Sequence, residues 1–329
     1  MTQLLLNARL IDPATGYDGP GALRLEGGEI AEVIRGPSPP LPGIDCAGKV
    51  LAPGLIDIRV FVGEPGARHR ESFRTAGEAA AAGGVTTFVA QPDTHPPLDD
   101  PALVEFALAR AAPAAVHVHV MGALTRGLAG REMAEHAFLL DAGALALTDG
   151  DRVVADAKVL RAAMMYARGL GALVACATQE PALSAGAAAT SGEIASRLGL
   201  PAAPAIAERM GLERDLALVE ATGCRYLAAQ ISTQWALAPL ARARDRGLPV
   251  QAATSIHHLT LNEFDIADYR TFFKLTPPLR AEEDRLAMVE AVASGAIDII
   301  CSGHNPQDEE AKRLPFEEAA SGAVGLETF

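Results

Sequence analysis

The sequence has few features that would staple, charge or anchor it from outside. Four cysteines occur in 329 residues, Cys46, Cys176, Cys224 and Cys301, with no C-x-x-C spacing. That excludes a disulfide framework and a cysteine zinc cluster, and the four read as small buried apolar residues in a reducing compartment. Basic residues are scarce: 28 Lys and Arg face 41 Asp and Glu, a net charge of −13. An excess of that sign argues against nucleic acid or an anionic membrane as the main partner; solubility and self-repulsion account for it. No apolar run reaches the roughly 18 residues of a membrane span, and no basic stretch leads into an apolar signal core. A cytoplasmic protein is expected. No G-x-G-x-x-G or G-x-x-x-x-G-K-[ST] follows an apolar run, which weakens a doubly wound nucleotide-binding sheet.

Apolar residues, at 49%, are plentiful and charged ones make up 21%, enough for a large core. Residues 2–11 and 22–34 pattern as short strands, broken by Asp12-Pro13, Gly16 and Gly27-Gly28, and Pro37 to Gly43 is a loop. Beyond residue 50, β-type apolar runs alternate with alanine-rich helical segments. The strands are expected over 55–62, 85–91, 115–121, 144–148, 173–177, 224–231, 249–254 and 296–302. Helices are expected over 71–82, 101–112, 156–169, 204–222, 234–246 and 281–294. Gly83-Gly84, Gly223, Gly247 and Gly295 stand where C-caps belong, and Thr190-Ser-Gly-Glu193 fits a capping box. Eight alternations predict an α/β fold, a (β/α)8 TIM-type barrel over 51–329. Residues 1–50 are expected to form a small β layer in front of it.

The most informative stretch is Leu51-Ala-Pro-Gly-Leu-Ile-Asp-Ile-Arg-Val-Phe-Val-Gly-Glu-Pro-Gly66. It is a short apolar run bounded by two Pro-Gly turns. It resembles the first barrel strand of the amidohydrolase superfamily and, within it, of the dihydroorotases, whose pattern is close to P-G-[FL]-I-D-x-H-x-H-x-R-E-P-G. Pro53, Gly54, Ile56, Asp57, Glu64, Pro65 and Gly66 match. The resemblance runs over nearly the whole chain. It implies that the N-terminal layer is part of a β-sandwich domain whose C-terminal half is missing, so that strands 2–11 and 22–34 lack partners and expose edges.

The same resemblance implies where a metal would be held, and there the residues differ. The two histidines of strand one fall on Arg59 and Phe61, and the substrate-gripping arginine on Gly63. Arg59 either puts a fixed positive charge where a dication would sit or reaches solvent at the strand end. The strand-two asparagine is Asp93, which would repel an anionic substrate; His95 beyond it reads as a surface residue. The strand-five histidine aligns with Ala177. Strand six has Leu227 and Gln230 at its histidine positions and keeps Ser232 and Thr233. In strand eight, Ile300-Cys-Ser-Gly-His-Asn-Pro-Gln307, the proton-accepting aspartate is Gly303 and the last histidine is Gln307, while His304 remains, for packing or hydrogen bonding. Phe273-Lys-Leu-Thr-Pro-Pro-Leu-Arg280 matches a further family pattern, with Thr276 in place of its asparagine. Asp149 aligns with an aspartate that helps hold metal in some members, or is a turn acid. His117 and His119 form an H-x-H on strand three, too few for a closed zinc site.

Arg59, Phe61, Ala177, Gln230 and Gly303 offer no competent zinc donor. Bound zinc lowers the pKa of water from about 15.7 to about 7, so its loss removes roughly eight orders of magnitude of hydroxide. On this count no catalytic, substrate-binding or metal-ligating residue and no cofactor is assigned. The resemblance then implies a non-catalytic dihydroorotase homologue: a structural or activating subunit of aspartate carbamoyltransferase in pyrimidine biosynthesis, within a hetero-oligomer. Two alternatives stand beside it. One is an active metal-dependent amidohydrolase with a displaced metal, using His117, His119 or His304. The other is a metabolite-binding sensor.

Overall fold

The computed structural model describes residues 2–329. Its contacts divide the chain into a unit ending at Leu55 and a second over Ile56–Phe329.

The first unit is a five-stranded sheet. β1 (Thr2–Asp12) and β2 (Tyr17–Glu26) pair antiparallel, and Asp12 closes their turn by accepting the Ala14 N–H at 3.1 Å. β3 (Glu29–Arg35) returns along β2 after Gly27 and Gly28, both at positive φ. β4 (Ile44–Asp45) and β5 (Val50–Leu51) add in parallel to β1. Leu6, Ala8 and Leu10 are buried on alternate positions of β1, the period of a strand with one covered face. The expectation that these strands lack partners is corrected. β1 is paired on both sides and β2 lies between β1 and β3, because the loop after β3 returns residues 44–51 to the free side of β1.

The second unit is the (β/α)8 barrel. Strand one is β6 (Leu55–Val60), followed by α1 (Phe73–Ala82). Next come β7 (Val85–Ala90), α2 (Pro101–Ala111) and β8 (His117–Val120), which β9 (Gly122–Ala123) continues. α3 (His136–Asp141), β10 (Leu147–Thr148), α4 (Ala157–Gly169) and β11 (Leu173–Cys176) follow. A small insertion then holds α5 (Pro181–Ser184), β12 (Ala189–Thr190), α6 (Glu193–Leu198) and β13 (Ala202–Ala203). α7 (Ile206–Thr222), β14 (Arg225–Ala228), α8 (Leu237–Asp245), β15 (Val250–Ser255) and α9 (Ile256–Thr260) lead on to α10 (Glu282–Ala293), β16 (Ile299–Cys301) and α11 (Glu309–Lys312). The strands pair in the orders β6-β7-β8 and β9-β10-β11-β14-β15-β16. A parallel bridge from Val60 to His304 joins the first strand to the last, and the Phe61 N–H donates to the His304 carbonyl at 2.8 Å.

Asp57 clasps that seam. Its carboxylate accepts the backbone N–H groups of Arg59 at 3.1 Å and Ser302 at 3.2 Å, and also the Ser302 hydroxyl. Burial pushes its pKa up, against the pull of the Ser302 hydrogen bond. Inside the barrel the layers are small: Ala175, Ala229 and Ala253 pack with Leu227, Leu173 and Ile58. Outside it, Phe73, Phe88, Leu160, Met164, Leu212 and Met288 fill the space between sheet and helices.

One expected cap is absent. α6 begins after Gly192 with no side-chain cap. The Thr190 hydroxyl instead donates to the Leu279 carbonyl at 2.9 Å and accepts from the Arg280 guanidinium at 3.1 Å. A tertiary partner some 90 residues away has taken the group that a local box would use.

Candidate active site at the barrel mouth

The ends of the barrel strands gather a compact polar cluster around a cavity of about 40 Å³. β6 delivers Arg59 and Phe61 follows it. The turn after β7 brings Gln91 and Asp93, the turn after β10 brings Gly150 and Asp151, and Gln230 follows β14. His257, Thr276, Gly303 and His304 complete the wall. Catalytic groups in such barrels stand at this face.

Opposite charges meet here. Arg59 donates to the Asp151 carboxylate. Burial works to lower the Arg59 pKa, but Asp151, with Cys301 and Asp93, raises it above the ordinary value, so the guanidinium stays charged. A second guanidinium, Arg70, lies 3.9 Å from the centre of the Phe61 ring in a cation–π contact. Its donors go to the Pro306 carbonyl at 3.0 Å and the Asn305 side chain at 2.8 Å. Asp93 has a buried Oδ1 with no hydrogen-bond partner. Burial, then repulsion from Asp151, raises its pKa to about 6 despite the two arginines.

Two histidines frame the other side. The His304 ring accepts the Gly325 N–H at Nδ1, 3.2 Å, so its Nε2 donates to Glu71 at 2.9 Å. His257 is different: its buried Nε2 has no partner. Burial, then the nearby His304, lowers its pKa to about 4, which keeps the ring neutral. It is placed by the first turn of α9, where Ser255 accepts the His258 N–H and also contacts His258 Nδ1 at 2.8 Å.

Of the residues singled out in the sequence, Arg59, Phe61, Asp93, Gln230, Thr276, Gly303 and His304 come together in the mouth. Ala177 does not line it. Gly63 has no room for a side chain, since a β-carbon there would stand 2.1 Å from the Ala67 carbonyl. Asp149 is not in the mouth either. It accepts the Thr125 N–H at 2.8 Å and the Thr125 hydroxyl, and burial raises its pKa. The Gln307 amide donates to the Ser321 carbonyl at 2.7 Å. His117 and His119 are exposed on β8, and His95 is exposed on its loop.

Among the described residues, no three of His, Cys, Asp or Glu converge in a way that could hold a metal ion. The donor set of the mouth does not fit one: a guanidinium, a phenyl ring, an amide and a glycine stand at the positions the family resemblance reserves for ligands.

The retained motifs have structural roles. Glu208 is fully buried and accepts the Ser232 and Thr233 N–H groups at 3.0 and 2.9 Å and the Thr233 hydroxyl at 3.0 Å. The Arg280 guanidinium reaches the same carboxylate at 3.5 Å. Lys274 donates to the carbonyls of Glu317 and Ala319, and Lys312 to those of Thr271 and Ala320, at 2.7–2.9 Å. These lysines stitch together the two loops beside the mouth. His257 and Arg70 carried no motif, and in Thr148-Asp-Gly-Asp151 the resemblance singled out Asp149 and not Asp151, which is the one that lines the mouth. The one available signal for His257 was its place just past the C-terminal end of β15.

Residues 48–236 match the family described as dihydro-orotase-like. A protein named dihydroorotase from Desulfotalea psychrophila is 39% identical over 328 residues, covering 100% of this chain and 78% of its own length. A dihydroorotase from a Wolbachia of Drosophila simulans is 40% identical, covering 98% of this chain and 74% of its own. Among solved structures, the L-hydantoinase (dihydropyrimidinase) of Arthrobacter aurescens superposes with a TM-score of 0.87 at 22% identity, covering 100% of this chain and 75% of its own. A D-hydantoinase from a Thermus species gives 0.81 at 20%, covering 99% and 74%; these two likenesses bear on the fold. The expectation of a non-catalytic subunit is overturned: relatives at 39–40% identity across nearly the whole chain carry the name of an enzyme. That expectation counted zinc donors at fixed positions and read Asp93 only as repelling an anionic substrate. No helix among the described residues is long and apolar enough to cross a membrane.

Proposed function

This chain belongs to the dihydroorotase-like family, and from that membership we propose that it is an amidohydrolase acting on a small cyclic amide of the dihydroorotate class at its barrel mouth. The observation that carries the reading is the 39–40% identity held over nearly the whole chain to proteins named dihydroorotase. In the hydrolytic direction water adds to a ring carbonyl carbon, the ring C–N bond breaks and a proton passes to the departing nitrogen. In the reverse direction a ureido acid closes and water leaves.

The residues at the mouth do not fit a metal ion, and no step is assigned to one. Arg59 supplies fixed positive charge where negative charge develops on the carbonyl oxygen. Asp93, raised to about 6, is largely ionised at neutral pH yet basic enough to take the proton of the attacking water. Neutral His257 has a free ring nitrogen for hydrogen bonding the amide of the ring.

The test is ring opening of dihydroorotate and of unsubstituted dihydrouracil by the purified chain, followed chromatographically with and without added zinc. Turnover is expected, with a loss of about 10²–10⁴-fold in Asp93→Asn, the range for a missing general base. Failure to open either ring, or to close the corresponding ureido acids, would refute the reading.

A further inference from the structure

We infer that the ring substituent this site prefers is apolar, and that it lies in a second cavity opening beside the mouth. This rests on the reading of the mouth as a cyclic-amide site and adds the substrate class. The second cavity holds about 240 Å³, against about 40 Å³ at the mouth. Its walls are Leu261, Phe272, Phe273, Leu275, Ala323 and Val324. His257, Leu275 and Gly322 line both cavities, so the two adjoin. The mouth has room for a reacting carbonyl; the bulk of a ligand has to lie outside it. An apolar cavity of about 150 Å³ suffices for benzene, so the second cavity accommodates a phenyl-sized group.

The charges favour the same assignment. Gly63, where the family resemblance puts a substrate-gripping arginine, cannot carry a side chain in this loop. Arg59 lines the mouth and not the second cavity. Lys312 does line the second cavity, but its ammonium donates to the carbonyls of Thr271 and Ala320. Arg70 is committed to Pro306 and Asn305. A carboxylate substituent would therefore enter a largely apolar chamber whose lining cation, Lys312, is held by two backbone carbonyls. Burying it unpaired is unfavourable, whereas a phenyl group gains from leaving water.

The experiment is isothermal calorimetry of the full chain with dihydrouracil, dihydroorotate and 6-phenyl-dihydrouracil, whose phenyl sits on the ring carbon that bears the carboxylate in dihydroorotate, beside the ring-opening assay. The phenyl compound is expected to bind about 10- to 100-fold more tightly than the unsubstituted ring, the span for burying one such side group. Val324→Trp, at a position 59% exposed, fills the chamber, and the ratio between the two compounds is expected to fall to about one. Thermal melting checks that this variant is folded. The inference is overturned if dihydroorotate binds more tightly than the phenyl compound, or if the phenyl group adds nothing in the unaltered protein. If dihydroorotate is opened in either case, the proposed reaction survives. If no ring binds or opens, both fall.

Discussion

The imidazole of His257 covers the backbone of Gly303. A β-carbon on that glycine would stand 3.5 Å from Cδ2 of the ring and 3.2 Å from Cβ of Ser255. The position that the family resemblance gives to a proton-accepting aspartate is thus walled by a neutral histidine with an unpartnered Nε2. Gly303 also has φ +62°, a left-handed conformation that glycine adopts freely and aspartate tolerates at some cost.

Restoring the acid with Gly303→Asp is therefore expected to destabilise the protein by about 1–2 kcal/mol, from backbone strain and the tight contact with Ser255. It should not create a zinc site, because Arg59, Phe61, Ala177 and Gln230 still offer no donors. Urea denaturation reads the first effect and elemental analysis after dialysis against zinc reads the second. One equivalent of tightly held zinc in this variant would contradict the account of the mouth. In the unaltered protein, treatment with a strong chelator is expected to leave ring opening and thermal stability unchanged.

Asp93 and His257 make opposite contributions to stability as pH changes. The folded pKa of Asp93 is raised, to about 6 from an ordinary 3.8. Its contribution is full below the unfolded value and is lost as pH rises toward 6. His257 is lowered, to about 4 from 6.5, so between those values the unfolded chain binds more protons and stability rises with pH. Asp93→Asn should therefore gain on the unaltered protein from pH 4 to pH 6.5, by about 1–3 kcal/mol. His257→Gln should gain over the same interval in the opposite direction, as pH falls. Denaturant midpoints measured across this range, as differences from the unaltered protein, decide it. Parallel curves for Asp93→Asn would show that its carboxyl is not perturbed.

The barrel was legible because the strands are apolar runs between turn residues and several helices, α1, α7, α8 and α10 among them, stop near a glycine. Leu55–Val60, Val85–Ala90 and Val250–Ser255 lie where period and punctuation put them. The retained Ser232, Thr233 and Arg280 could be noticed but not explained, since the carboxylate they surround, Glu208, carried no motif of its own. Thr190 was misread because a capping box is a local rule and its hydroxyl is engaged by Leu279 and Arg280. His257 was missed for the same kind of reason: a His-His pair after a strand has no signature until the fold sets His257 against Gly303. The functional expectation failed because counting ligands measures one mechanism and not the remaining polar groups of the site.

Asp57 should behave as a structural residue. Asp57→Ala leaves the N–H groups of Arg59 and Ser302 and the Ser302 hydroxyl without their acceptor at the barrel seam. Each buried donor left unmet costs about 1–3 kcal/mol when water cannot replace the partner. A total loss of about 2–4 kcal/mol is expected, allowing for some relaxation. Ser302→Ala removes only one donor and should cost less. The shift in urea midpoint orders the two variants, and equal losses would mean that the seam is held elsewhere.

The pair Glu208 and Arg280 poses a sharper question, because both are buried and oppositely charged. If their attraction stabilised the carboxylate, removing either partner would be equally damaging. The distances argue otherwise. Arg280 lies at 3.5 Å from Glu208, while the Ser232 and Thr233 N–H groups lie at 3.0 and 2.9 Å. Arg280 also donates to Ser232 Oγ at 3.0 Å and Thr190 Oγ1 at 3.1 Å. The neutral donors thus hold the carboxylate directly, and the guanidinium mainly offsets its charge. Arg280→Met should cost about 1.5–3 kcal/mol, the scale of a hydrogen bond to a charged group. Glu208→Leu orphans several donors together with a buried cation and should cost more, about 3–5 kcal/mol. The double variant removes the uncompensated cation and should be less damaging than the sum of the two. Denaturation of all three variants measures the coupling, and strict additivity would show that the two charges do not interact.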